Sequence, residues 1–536
     1  MPIYLSVASV LLIAWVLKRL IDAYAKNDQG RSYAPGPRPL PLVGNMFDLP
    51  TSRTPEVYVE WGKRYQSDIL FATTPLYGVL ILNKQEDADE LFERRSRIYS
   101  DRPQIPILEL IGWEWNISLF RYGTAWRFHR QICQQNFRAE AVRAYHPLLL
   151  DKVHDMCRRL LGNPENFDEH NRRLSISVPM VTMYGYDVKS FEDPCIIAVE
   201  ENTLTGASLL MPGATLANFI PPLAKLRIPT WLPGASTWKT AKRLRELSQV
   251  ARNIPYDFVK KSMAEGTAID SFVSTFLKKK EEYGASEIEE DAIKNIAMTI
   301  YGAASDTTIA ATNSFIYFMA IHPEIQRKAQ TEIDQVVGNS RLPDFDDRPA
   351  LPYIEAIYRE LLRIEPPAPM GLPHRVTEDD CYKRYFIPKG TVVFGNVWAM
   401  AHDEDVYPEP FVFKPERFLD DRGSLNDDAR VLAYGFGRRR VFILSNGVYC
   451  VSSSTLPISQ NMCWKARRER YVKMWMIVAS ILACFNIVKS KDGLGNEIDI
   501  SDEYEDFGPM RHKTKFRCTF VPRSNMIEQI LQDAET

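Results

Sequence analysis

Residues 296–316 constrain the fold more than any other stretch. They are apolar almost throughout, yet 302–308 (Gly-Ala-Ala-Ser-Asp-Thr-Thr) sets small residues, an acid and two hydroxyls in their middle. A helix that is apolar all round is a buried one, so the remaining chain must wrap it. A mid-helix Thr hydroxyl can bond the carbonyl four residues back, here Ala303 for Thr307, which loosens the ladder and opens a groove for a small molecule and water. Asp306 beside it can relay protons. The plainer alternative is a helix that tolerates polar residues on a wet face.

Enough apolar sequence surrounds that helix to bury it. The chain has 536 residues, 45% hydrophobic and 25% charged, which describes a globular protein and not a disordered one. The apolar residues Ile325, Ala329, Ile333, Val336 and Val337, after Pro323 and before the stop Gly338, predict an amphipathic helix facing a core. β-type runs at 68–72 and 79–82, and again at 391–394 after the turn 388–390, predict a small sheet. Residues 50–536 show no repeat or composition break, so one large, mainly α domain with a small β-rich lobe is expected. A net charge of −2 argues against nucleic acid as a partner. Eight Cys without a CxxC pair write neither a disulfide framework nor a zinc site, and suit a reducing compartment.

Residues 3–17 are nearly all apolar and are followed by Lys18 and Arg19. They predict a membrane anchor over 1–20, short against the roughly 20 residues of a usual span, with everything after it cytosolic. A core helix is the alternative. Residues 21–49 then form a linker whose Pro-rich part, 34–45, must be extended and stiff; it suits a spacer, or a ligand for an aromatic groove. The irregular, apolar stretch 211–235 suits either a second dip into the membrane surface or a buried connection.

Three further groupings carry chemistry. Glu360 and Arg363 sit at i and i+3 on one helical face, a spacing common among surface pairs, and Arg417, in a turn bounded by aromatics, can reach the same carboxylate. Trp126 and Arg130, at i and i+4, can grip one anionic group with an indole N–H and a guanidinium. His374 and Arg375, after a Pro-rich turn, can grip another. In this order and at these separations, the pieces resemble the cytochrome P-450 superfamily of heme-thiolate monooxygenases, in particular its microsomal fungal members, over residues 30–440 and again from 471 onward.

The resemblance implies a P-450 fold preceded by a transmembrane helix in the endoplasmic reticulum membrane. It implies heme b, electrons from an NADPH-dependent reductase, O2, and a lipophilic small molecule of terpenoid or polyketide type from secondary metabolism. Asp306 and Thr307 match the acid and alcohol that deliver protons for oxygen activation. Glu360, Arg363 and Arg417 match a structural charge triad. Trp126, Arg130, Arg375 and Arg439 match propionate-binding positions, with His374 beside them. Segments 103–119, 204–210, the helix near Ala303 and 368–372 match the substrate-lining regions.

One motif breaks. The family's ligand loop reads Phe-Gly-x-Gly-x-Arg-x-Cys-x-Gly; residues 434–440 (Tyr-Gly-Phe-Gly-Arg-Arg-Arg) fit its first seven positions, and Val441 stands where the Cys belongs. Thiolate electron donation favours O–O cleavage, and a Val has none to give. The helix that should follow begins only after an anomalous insertion at 441–470. There, Met462-Cys-Trp-Lys465 must be encoded ATG-TGY-TGG-AAR, and reading one base later yields Cys, Ala or Val, Gly, and Lys or Arg. The Val441 codon begins GT, as introns usually do. The hypothesis is that 441–470 is largely a translated intron with out-of-frame coding sequence; a spliced transcript that retains it intact sinks the idea. Within the chain as written, Cys450 and Cys463 are poor substitutes, since neither is followed two residues later by the Gly that lets backbone wrap beneath a sulfur. A heme-free, inactive product of a mis-spliced gene is the competing reading.

Overall fold

The computed structural model describes residues 32–137, 143–188, 190–210, 215–219, 224, 228–229, 231, 235–428, 430–439 and 472–533. The expected anchor at 1–20, the linker up to residue 31, and the insertion with Val441, Cys450 and Cys463 lie outside them. Among the described residues no helix is long and apolar enough to cross a membrane.

The long helix runs Glu287–Ile321 and starts at a capping box, in which Ser286 and Glu289 satisfy each other's backbone N–H groups. It runs unbroken through 302–308. Thr307 Oγ1 donates to the Ala303 carbonyl at 3.0 Å, and Ser305 and Thr308 bond back in the same way at 2.9 and 2.7 Å. The groove therefore comes from small side chains and not from a broken ladder.

That helix joins two apolar cores. Its C-terminal part, from Ala311 through Ala320, packs with Leu174 and Val178 of Phe167–Tyr184, Tyr358 of Pro352–Ile364 and Trp475 of Val472–Cys484. Its N-terminal part, from Ile293 to Tyr301, packs with Trp113, Trp115, Tyr184 and Val199. The small-residue segment falls between the two, where neither core fills the space.

Strands Ile69–Thr73, Gly78–Leu82, Val392–Gly395 and His374–Arg375 form the main sheet in that spatial order. The first pair is antiparallel, with Ile69 opposite Leu82; Gly78–Leu82 runs parallel to Val392–Gly395, with Val79 opposite Val392. Parallel pairing requires a long crossover, and most of the helical body lies within it. The helix Pro323–Val336 buries Ile325, Ala329 and Ile333, with Val337 at its C-cap also buried, whereas Val336 stays 40% exposed. Of the stretch 211–235, Ala217 is buried and Trp231 is 79% exposed.

Near the C-terminus, Tyr504–Phe507 and Met510–Lys513 form an antiparallel hairpin that lies against the long helix. Its turn needs Gly508: φ is +61°, and a Cβ there would come within 2.8 Å of the Ala207 backbone.

Candidate active site

The gap between the cores is a cavity of about 1490 Å3, open mouth included. Gly302, Ala303, Asp306 and Thr307 form one wall, Trp113, Trp115, Ile117 and Leu119 another, and Trp126, Arg130, His374 and Arg439 line its polar edge. A Cβ on Gly302 would meet only Thr203, at 3.6 Å, so the missing side chain widens the cavity and does not relieve a clash.

The polar edge is cationic and dry. Trp126 and Arg130 come from one face of the helix Thr124–Asn136, as their i, i+4 spacing requires, and the Arg130 and Arg439 guanidinium carbons lie 5.7 and 4.5 Å from the Trp126 ring centre. Arg102, which sequence reasoning missed, is a third guanidinium in the wall, 4% exposed and tied to the carbonyls of Ser118, Leu372 and Pro373. Burial pushes Arg102 down to about 9 even with Asp101 adjacent. Burial, then the charge of Arg102, hold Arg439 well below its ordinary value. Arg439 donates to the carbonyls of Ser100 and Phe120, while its Nη1 is buried with no hydrogen-bond partner among the described residues. Such a cluster is completed by an anionic ligand.

Two residues expected at this edge behave differently. Arg375 does not line the cavity; its guanidinium lies 3.9 Å from Asp101, and its backbone N–H bonds the Asp101 carbonyl. Strand alternation sends His374 and Arg375 to opposite faces, so His374 reaches the wall and Arg375 does not, and Arg102 lines the cavity in its stead. His374 reaches the wall, but burial, with Arg102 and Arg439 adding repulsion, depresses it well below its ordinary value. Neutral, and 2.7 Å through Nδ1 from the Tyr99 carbonyl, it donates there and presents only a lone pair at Nε2.

Glu360 is in the interior and not on the surface. Fully buried, it accepts from Arg363 Nε at 2.6 Å and Nη2 at 2.9 Å, from Arg417 Nε at 3.2 Å and from the Lys414 backbone at 2.8 Å. Arg363 also bonds the Ala401 carbonyl, and Arg417 those of Pro408, Glu409 and Val412, which fastens the 408–418 segment to the helix Pro352–Ile364.

The loop at 434–439 closes the cavity floor with Tyr434, Gly435, Phe436 and Arg439. Gly437 has φ +60°, and a Cβ there would sit 2.1 Å from the Phe92 carbonyl oxygen, so only glycine fits. The cationic edge, with its unpartnered Arg439 Nη1, fits the two carboxylates of a heme. On the sulfur side, no cysteine among the described residues lines the cavity, and Val441, which stands where the Cys belongs, lies outside them.

Comparison with known proteins accounts for this arrangement. The family model described as cytochrome P450 matches residues 34–440, ending immediately before Val441. Cytochrome P450 monooxygenase 208 of Postia placenta is 36% identical over 98% of this chain and 96% of its own length. Cytochrome P450 monooxygenase COX2 of Coprinopsis cinerea is 35% identical over 95% and 93%, and a tryptamine 4-monooxygenase of Psilocybe cyanescens 32% over 97% and 98%. With a family match across most of its length and relatives at least 32% identical over at least 95% of it, this chain belongs to the cytochrome P450 family.

Proposed function

We propose that this chain is a heme-dependent monooxygenase that inserts one oxygen atom from O2 into a lipophilic small molecule, with electrons from an NADPH-dependent reductase. The observation carrying this reading is a cavity that has buried guanidiniums at one edge and the Asp306–Thr307 pair on its wall. Heme, when bound, supplies oxygen activation. Arg102, Arg130, Arg439 and the Trp126 indole hold its carboxylates. The Trp113, Trp115, Ile117 and Leu119 wall excludes water and takes the apolar body of the substrate. Thr307 Oγ1 and the Asp306 carboxylate hold and move the proton. A second cavity, of about 1220 Å3, shares Leu119, Leu210, Met370, Gly371, Leu372 and Pro509 with the first and supplies an apolar way in. One relative being named a tryptamine 4-monooxygenase agrees with oxygen insertion into a small organic molecule. Residues 1–20 anchor the protein in the endoplasmic reticulum membrane by a single pass, with the body in the cytosol, and the substrate is of the secondary-metabolite class.

Val441 favours a second reading, an inactive heme-free product of a mis-spliced gene. One spectrum separates the two. Expressed in full and reduced under carbon monoxide, a thiolate-type Soret band supports the monooxygenase, and failure to take up heme refutes it for this chain.

A further inference from the structure

The acid of the long helix faces a histidine from the C-terminal hairpin. His512 Nε2 lies 3.1 Å from Asp306 Oδ1, and the two side chains are 15% and 18% exposed. At that distance Nε2 still lacks the alignment of a hydrogen bond, and it is buried without a partner among the described residues. A small rotation of imidazole or carboxylate supplies one.

The hairpin is held firmly enough for this approach to be built in. Strand alternation puts Met510 and His512 on one face, and Met510 lines the cavity. Arg511 and Lys513, on the other face, are occupied elsewhere. Arg511 pairs with Glu56 and Asp506, each at 2.9 Å, and Lys513 Nζ donates to the carbonyls of Ser501 and Glu503 at 2.6 and 2.7 Å. Phe507 meets the His512 ring edge-on at 5.5 Å, and Glu505, its partner across the ladder, is exposed. The hairpin is thus held against the long helix with the imidazole facing it, and the Asp306 carboxylate is an acceptor within its reach.

We propose that His512 is a positioning residue for the proton-handling acid: it holds the Asp306 carboxylate at the cavity wall beside Thr307. This rests on the monooxygenase reading above. An unanchored carboxylate would divide its time among rotamers, and each one pointing away from the cavity withholds the proton from the reaction.

Two measurements test it. In full-length protein with isotope-labelled histidine, Asp306→Asn should move the imidazole signals of His512, identified by their loss in His512→Gln, and leave the other seven of the eight histidines in place. A His512 signal that does not move overturns the proposal, with or without heme bound. In heme-loaded protein, His512→Phe should lower product formed per O2 consumed by about tenfold, the scale of one hydrogen bond to a charged group, at unchanged KM. His512→Gln, which keeps an N–H near the position of Nε2, should restore most of it. Full coupling in the Phe variant, or no rescue by Gln, overturns the assignment. A chain that takes up no heme fails the functional reading alone, while the histidine signals still decide the pairing.

Discussion

Lys473 is the side chain whose surroundings oppose its charge most plainly. It is fully buried in the helix Val472–Cys484, with Nζ 3.4 Å from the Ser175 carbonyl, and burial pushes it down to about 7. Unfolded, the same amine binds its proton up to about 10.5. Between those values the unfolded chain holds more protons, so stability rises with pH from about 7 to 10.5, and the penalty is fully present below 7. Its size is on the order of 5 kcal/mol, from about 1.4 kcal/mol per pH unit over the drop from 10.5 to about 7. Lys473→Met should raise the denaturation midpoint near neutrality and flatten this part of the pH dependence; equal slopes for parent and variant between pH 7.5 and 9.5 would count against it. Helical spacing suggested that Trp126 and Arg130 share a face, and they do. Nothing local marked Arg102, because what distinguishes it from the many other arginines is dehydration by segments distant in sequence.

At the scale of elements, the Glu360 cluster ties the helix Pro352–Ile364 to the 408–418 segment. Glu360→Ala would leave Arg363 and Arg417 buried without their carboxylate, at a cost of about 3–5 kcal/mol. The exposed pair Arg97–Glu378, with side chains 73% and 53% exposed, is the control: Glu378→Ala should barely change the thermal midpoint. Comparable midpoints for the two variants would refute the central role of the cluster. The i, i+3 spacing was legible in sequence, but spacing is the same for a surface pair and a buried one, and the surface is the commoner place. The long helix taught the reverse lesson. Its small and hydroxyl residues suggested a loosened ladder, yet the Thr and Ser back-bonds coexist with continuous helix, and the opening lies between the two cores.

For the whole molecule, the matched family region ends at Arg440, while the similarity to two of its relatives covers at least 97% of the chain. Removing residues 2–20 should release the protein from membranes into the soluble fraction while leaving its thermal midpoint unchanged, read by fractionation and melting; a truncated chain that still sediments with membranes would indicate a second contact, for which the exposed Trp231 is a candidate. The sequence by itself determined which chemical groups are present and which one is missing, since motif order, helical spacing and a Val in place of a Cys are local properties. Only the tertiary structure decided that Arg102 closes the cationic edge while Arg375 turns to Asp101, that His374 is held neutral, and that His512 meets Asp306. Desolvation and charge pairing depend on which distant segments pack together, and no short stretch of sequence contains that information.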